Sequence, residues 1–235
     1  MIKNYLFDLD GTLLPLDEEN FIKKYFHLLG QKFYEIGLDP EAMIKRLWIG
    51  TKNMIQNEGL KTNEEVFWDA FLPEQKDKEE IKKALEKFYQ NEFEAVKTST
   101  NPSYVSKTII EILKERGKTI VLATNPIFPF VATKKRIEWA LLNQDDFSLI
   151  TTYENSNFAK PSLSYYEMIL KRFNLDPEET IMIGNDALED MVAQGLGLKT
   201  YLVTDCLSNK NNIDINQFEH GTLNDLLTKI ENDEF

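Results

Sequence analysis

Tyr5-Leu6-Phe7-Asp8-Leu9-Asp10-Gly11-Thr12 opens the chain as a short apolar run that ends in two acids and closes on Gly-Thr. Residues 5–10 read as a buried strand entering a turn. Residues two apart in a strand share a face, so this reading points Asp8 and Asp10 to the same side. Beyond Asn101-Pro102 the pattern becomes an alternation of helix and strand. The spacing predicts a helix from about 103 stopped by Gly117, a strand at 119–123, a helix around 131–142 and a strand near 149–152. It continues with a helix at 162–173, a strand at 181–183, a helix at 187–193, a strand at 200–203 and a last helix at about 223–230. Near-continuous apolar strands alternating with helices call for parallel pairing buried on both faces. With right-handed crossovers this is an α/β, doubly wound, Rossmann-like sheet.

From 17 to about 98 there is no strand candidate, only helical periodicity. Phe21, Ile22, Tyr25, Phe26, Leu28 and Leu29 recur at spacings of three and four, Gly37 supplies a stop, and Asp39-Pro40 a start. Thr62-Asn63-Glu64-Glu65 and Asp77-Lys78-Glu79-Glu80 each place a carboxylate three residues after a capping side chain. Behind the second, Ile81, Ala84, Leu85 and Phe88 form an apolar face, and the Lys/Glu-rich face of 76–87 reads as solvated. The chain therefore divides into an α/β core, 1–15 and 100–235, and an all-helical insert, 16–99. The polar stretch 208–216 reads as a loop within the core.

The 235 residues carry 27 Lys and Arg against 39 Asp and Glu, a net charge of −12, and 42% are hydrophobic. This is an ordinary folded composition, and its acidity argues against a nucleic-acid surface. No apolar run approaches the ~20 residues of a membrane helix, and the N-terminus turns acidic too soon for a secretory signal. The single cysteine, Cys206, excludes an internal disulfide and Cys/Cys zinc sites and suits a reducing cytosol, so a cytoplasmic location is expected. With only His27 and His220 as candidate bases, a serine triad is disfavoured.

In an open parallel sheet the site lies outside the carboxyl ends of the strands. Those ends carry Asp8-Leu9-Asp10-Gly11-Thr12, Thr124-Asn125, and Gly184-Asn185-Asp186 with Asp190 four residues on; Lys160-Pro161 follows the third strand. Taken singly, a strand-end Asp usually caps a turn, but order, spacing and a shared edge make the set specific. Adjacent carboxylates repel unless a cation relieves them. With Asp186 they form an oxygen-only site suited to Mg²⁺. A carboxylate nucleophile beside Mg²⁺ and a lysine suits phosphoryl transfer, where alignment and charge neutralisation dominate.

These segments together resemble the four motifs of the haloacid dehalogenase superfamily, and the helical insert resembles its α-helical cap of the type placed directly after the nucleophile strand. The resemblance implies a phosphatase acting on a small phosphorylated metabolite through an aspartyl phosphate. Asp8 is then the nucleophile, and Asp10 the group that protonates the leaving oxygen and activates water. Thr124 and the Asn125 backbone bind the phosphoryl oxygens, and Lys160 steadies Asp8 and the phosphate. Asp8, the Asp10 carbonyl and Asp186 hold Mg²⁺, with Asp190 one step out through water or Lys160. Asn185 departs from the pattern, many members having an acid there. A sugar-phosphate mutase of the same superfamily would use the same residues. A dehalogenase or a phosphonate-cleaving enzyme has no use for Asp10, and a non-catalytic binding protein should have lost one of these groups. Oligomeric state stays open.

Gly195-Leu196-Gly197 follows a helix instead of a strand and is not read as a dinucleotide loop. Cys206, His27 and His220 (the last at a helix entry) read as structural or solvated, and Trp48, Trp68 and Trp139 as core. Gly50-Thr51-Lys52 interrupts an apolar helix. It reads either as a helix–helix turn or as a substrate-selecting loop over the site, in which Lys52 would contact the substrate.

Overall fold

The computed structural model describes residues 1–73 and 78–235. The opening run forms β1 (Asn4–Phe7), wholly buried. It pairs in parallel with β2 (Thr119–Leu122) on one side and β4 (Thr180–Gly184) on the other. Outside these lie β3 (Leu149–Ile150), β5 (Lys199–Val203) and β6 (His220–Gly221), giving the order β3-β2-β1-β4-β5-β6 with every pair parallel. The doubly wound core is therefore as expected. The chain winds from β1 out to β3, then returns across β1 to β4, and this reversal opens a crevice past the strand ends. Phe7 stands opposite both Leu122 and Ile183, which brings Asp8, Thr124 and Asn185 to one edge.

β1 stops at Phe7, short of the expected 5–10. The chain turns at once, with the Leu14 amide donating to the Leu9 carbonyl at 2.8 Å and Gly11 at φ +86°. Asp10 thus reaches the site on a loop, and strand alternation is not what places it. β6, a two-residue edge strand absent from the sequence reading, holds the exposed His220.

The insert consists of α1 (Glu18–Glu35), α2 (Pro40–Ile55), α3 (Asn63–Phe71), α4 (Lys78–Gln90) and a 3-10 segment, Glu92–Ser99. Asp17 and Asp39 cap α1 and α2, and Thr62 with Glu65 forms the expected capping box on α3. Asp77, read as the cap of the fourth helix, lies outside the described residues. Phe33, Phe71, Phe88 and Phe93 are fully buried, each contributing on the order of 1.5–3 kcal/mol. The insert leaves and rejoins the core at one point: the Asp17 amide bonds the Ser99 carbonyl at 3.0 Å and the Asn101 amide the Pro15 carbonyl at 2.7 Å.

Two expectations for α2 fail. Gly50 neither turns the chain nor opens a loop; α2 runs through it. A Cβ at Gly50 would stand 2.7 Å from the Phe67 ring, so glycine is there to let α3 approach. Trp48 is not core: it is 53% exposed, with its ring 5.1 Å from that of Phe26. Trp68 and Trp139 are buried as expected.

The core helices are α5 (Tyr104–Glu115), α6 (Phe130–Trp139), α7 (Leu163–Phe173) and α8 (Leu223–Glu231). Leu6, Val121 and Met182 pack with Tyr165, Tyr166 and Ile169 of α7. The alternate residues Phe7, Leu122 and Ile183 share a cluster with Ile109 of α5 and Leu226 of α8 on the opposite face. The helix expected at 187–193 does not form. Asp186 Oδ1 accepts the amides of Leu188 and Glu189, both at 2.8 Å, and a 3-10 segment, Met191–Leu196, follows. Side-chain bonds to the backbone take the place of the α-helical ladder there.

Candidate active site

Asp8 is the first residue past β1 and is only 8% exposed. Lys160, in the loop before α7, is buried with it. Its Nζ donates to Asp8 Oδ1 at 2.8 Å and to Asp190 Oδ1 at 2.5 Å. Asp190 Oδ2 accepts the Asp186 amide at 2.9 Å, which ties the turn after β4 to the same ammonium. A Cβ at Gly184 would stand 2.1 Å from Asp190 Oδ2; only glycine lets this carboxylate in. Burial pushes Asp8 up to about 8 against the pull of Lys160, with Asp190 and Asp10 pushing the same way. Burial alone would lower Lys160, but Asp190 and Asp8 outweigh it and hold the ammonium charged. One cation serves two carboxylates.

Asp10 faces a residue the sequence reading missed. Arg136 of α6 is fully buried, and its Nη1 donates to Asp10 Oδ2. Its Nη2 reaches Thr133 Oγ1 at 3.2 Å, and its guanidinium lies 4.4 Å from the centre of the Phe128 ring. Burial raises Asp10, opposed chiefly by Arg136. In the sequence Arg136 ends a Lys-Lys-Arg run and looks solvated. The available signal was its phase, four residues from Ala132 and four from Ala140, both buried. Glu189 was also missed; its Oε2 accepts from Asn125 Nδ2 at 3.0 Å, and burial raises its pKa.

Thr124 is held by its carbonyl, which accepts from Thr151 Oγ1 at 2.7 Å and Tyr165 Oη at 3.0 Å. The neighbouring Tyr166 Oη donates to the Glu189 carbonyl at 2.7 Å, so one turn of α7 props both loops. Asn185 is committed to structure: its Oδ1 accepts from Thr12 at 3.0 Å and its Nδ2 donates to the Cys206 carbonyl at 2.7 Å.

Among the described residues no three Asp, Glu, His or Cys side chains gather into a metal cage. The set expected for Mg²⁺ needs only two side chains, Asp8 and Asp186, with the Asp10 main-chain carbonyl. Asp186 spends Oδ1 on its own turn, which leaves Oδ2 for an outside partner. Among the described residues Asp8, Asp10, Asp186, Glu189 and Asp190 face only Lys160 and Arg136 as buried cations. This excess of negative charge with oxygen-only donors fits a hard divalent cation.

Above this edge, between insert and core, lies a cavity of about 750 Å³ with Asp10, Asn125 and Glu189 on its floor. Asp8 is not among the residues that line it. Phe21, Tyr25, Trp48, Trp68 and Phe128 are among its walls. Thr51 lines it, whereas Lys52 is exposed on α2 and does not. The start of α3 is pinned to the core by Asn63, fully buried, whose Nδ2 donates to the carbonyls of Pro126 and Phe158, both at 3.1 Å. The Glu64 amide bonds the Tyr153 carbonyl at 2.8 Å beside it. Exposed Lys210 and Glu18 pair at 2.7 Å across the rim.

Solved structures share this fold. A haloacid dehalogenase phosphatase from Thermococcus onnurineus superposes with a TM-score of 0.60 at 18% identity, covering 97% of each chain. The putative hydrolase YfnB from Bacillus subtilis, solved bound to magnesium, gives 0.59 at 20%, covering 98% of this chain and 99% of its own. CbbY from Rhodobacter sphaeroides, in complex with phosphate, gives 0.58 at 18%, covering 94% and 93%. No curated protein matches the chain. A sequence model of the haloacid dehalogenase-like hydrolases matches residues 2–193. That match spans the sheet edge, the insert and every one of the convergent acids, and this protein belongs to the haloacid dehalogenase-like hydrolases.

Proposed function

We propose that this chain is a Mg²⁺-dependent phosphohydrolase of a phosphate monoester, working through an aspartyl phosphate on Asp8. The observation that carries the reading is the buried Asp8–Lys160–Asp190 chain set beside Asp10 at the crevice of the sheet. Lys160 holds one Asp8 oxygen and leaves the other to attack phosphorus. The phosphorus–oxygen bond to the alcohol breaks as Asp10, protonated in the substrate complex on Oδ1, the oxygen that Arg136 does not hold, gives that proton to the leaving oxygen. Asp10 then takes a proton from water, which attacks phosphorus and frees Asp8 and inorganic phosphate. Thr124 and the Asn125 amide bind the phosphoryl oxygens. Asp8, the Asp10 carbonyl and Asp186 would hold Mg²⁺, whose charge lets two anions approach one another. The division into core, 1–15 and 100–235, and cap, 16–99, is proposed on the paired crossing at Pro15–Asp17 and Ser99–Asn101.

The neighbours' names support the phosphatase reading: one is a phosphatase and another was solved with phosphate. The test is phosphate release from monoesters with Mg²⁺ and no bisphosphate primer, wild type beside Asp8→Asn. Release by the wild type separates hydrolysis from mutase chemistry. Full activity in Asp8→Asn sinks the covalent mechanism.

A further inference from the structure

We propose that the substrate is the phosphate ester of an apolar, ring-bearing alcohol with no second anionic group. The inference rests on the phosphatase reading and names the substrate class of that same site. The leaving oxygen must lie against Asp10, its proton donor, and Asp10 lies on the floor of the cavity. Whatever the alcohol carries beyond that oxygen therefore occupies the cavity. At about 750 Å³ the cavity falls within the size range of sites for drug-sized molecules, well beyond the need of a two- or three-carbon acid.

The walls say what that group is. Phe21, Phe26, Trp48, Trp68, Phe128 and Phe130 all line the cavity, from both the cap and the core. The phenols of Tyr25 and Tyr89 are spent on each other at 2.7 Å. A polyhydroxylated sugar would give up water here and find few replacements. Trp48 and Phe130 are 53% and 40% exposed, an apolar rim that a ring can cover.

Charge disfavours a second anion. Among the described residues the two lysines that line the cavity are paired, Lys82 with Glu64 at 2.5 Å and Lys210 with Glu18 at 2.7 Å. Glu86, Glu154 and Glu189 also line it, and no basic side chain pairs with them among the described residues. Glu154 Oε1 accepts the Phe130 amide at 2.8 Å, while its buried Oε2 has no partner. A distal phosphate or carboxylate would meet uncompensated acids.

The test compares primary alkyl esters, whose leaving groups have similar reactivity, for phosphate release with excess Mg²⁺. 2-Naphthylmethyl phosphate should exceed glycerol 3-phosphate and phosphoglycolate in kcat/KM by about 100-fold, a large but attainable discrimination for a hydrophobic pocket. Trp48→Ala, at an exposed site that does not endanger folding, should narrow that ratio about tenfold. Faster cleavage of glycerol 3-phosphate or phosphoglycolate would overturn this proposal and leave the phosphatase reading standing. No release from any ester would overturn both. A preference unchanged in Trp48→Ala would overturn the placement of the ring at the mouth.

Discussion

Replacing Arg136 with methionine isolates the ion pair beneath the cavity. Methionine keeps most of the aliphatic stem that fills the space beside Phe128 but removes the charge and its donors. Breaking a buried pair by deleting one partner costs about 3–5 kcal/mol, because the remaining charge is left uncompensated. Here the Arg136 side chain is 1% exposed and that of Asp10 30%, and Asp10 borders the cavity, so water and protonation relieve part of the loss. The pair therefore belongs near or below the low end, ~2–3 kcal/mol, and the lost stacking on Phe128 adds ~0.5–1 kcal/mol. For a chain of this length ~3 kcal/mol lowers the melting temperature by roughly 6–12 °C. Calorimetry or circular dichroism reads this directly. Adding Asp10→Asn to Arg136→Met removes the stranded charge and should recover about 2 kcal/mol, a coupling typical of residues in contact. A shift under about 2 °C, or additive single and double variants, would refute the claim that this contact holds charge in a dry environment.

Asp8→Asn should lower kcat by at least about 10³-fold without lowering the melting temperature, since it removes a charge from a site overloaded with acids; assay and melt together check it. Chelation should abolish phosphate release and Mg²⁺ restore it, while Ca²⁺, which takes more ligands at longer distance, should inhibit; undiminished turnover in excess chelator would rule out the metal. Gly50→Ala gains about 1 kcal/mol of helix propensity but drives a methyl to 2.7 Å from the Phe67 ring, an overpacking that costs ~1–3 kcal/mol. A urea melt should show a net loss, and net stabilisation would mean α3 is free to retreat. Lys52→Ala, outside the cavity, should change stability by less than about 0.5 kcal/mol and leave substrate preference as it was; a changed preference would show that α2 moves Lys52 over the site.

The sheet and its edge were legible because their signals are local. Asp8 sits where an apolar run stops, and Lys160, Asp186 and Asp190 sit at fixed distances from strands that parallel pairing puts in register. Caps were legible for the same reason, Thr62 and Glu65 being three residues apart. What failed depended on the opposite wall. Gly50 breaks helix propensity, but its role is set by Phe67 of α3. Trp48 has the periodicity of a core residue, yet beyond its contact with Phe26 it borders a cavity. Arg136 reads as surface until Asp10 is known to face it, 126 positions earlier in the chain. The expected helix at 187–193 failed because Asp186 and Asp190 turn back on their own backbone, a use of acids that helical periodicity does not register.

The Asn63 anchor gives the cap a mixed response to salt. Its bonds to Pro126 and Phe158 are buried and formed by a neutral amide, so dissolved ions neither screen them nor compete for them. Two further cap–core ties are ionic and more open: Lys210 with Glu18, and Lys135 with Glu94 at 3.0 Å. Raising salt from 0.1 to 1 M shortens the screening length from about 10 to about 3 Å, which loosens those ties while the amide anchor holds. The α3 side of the cap is thus held by bonds that ionic strength does not reach, while the ion pairs at Glu18 and Glu94 weaken as salt rises.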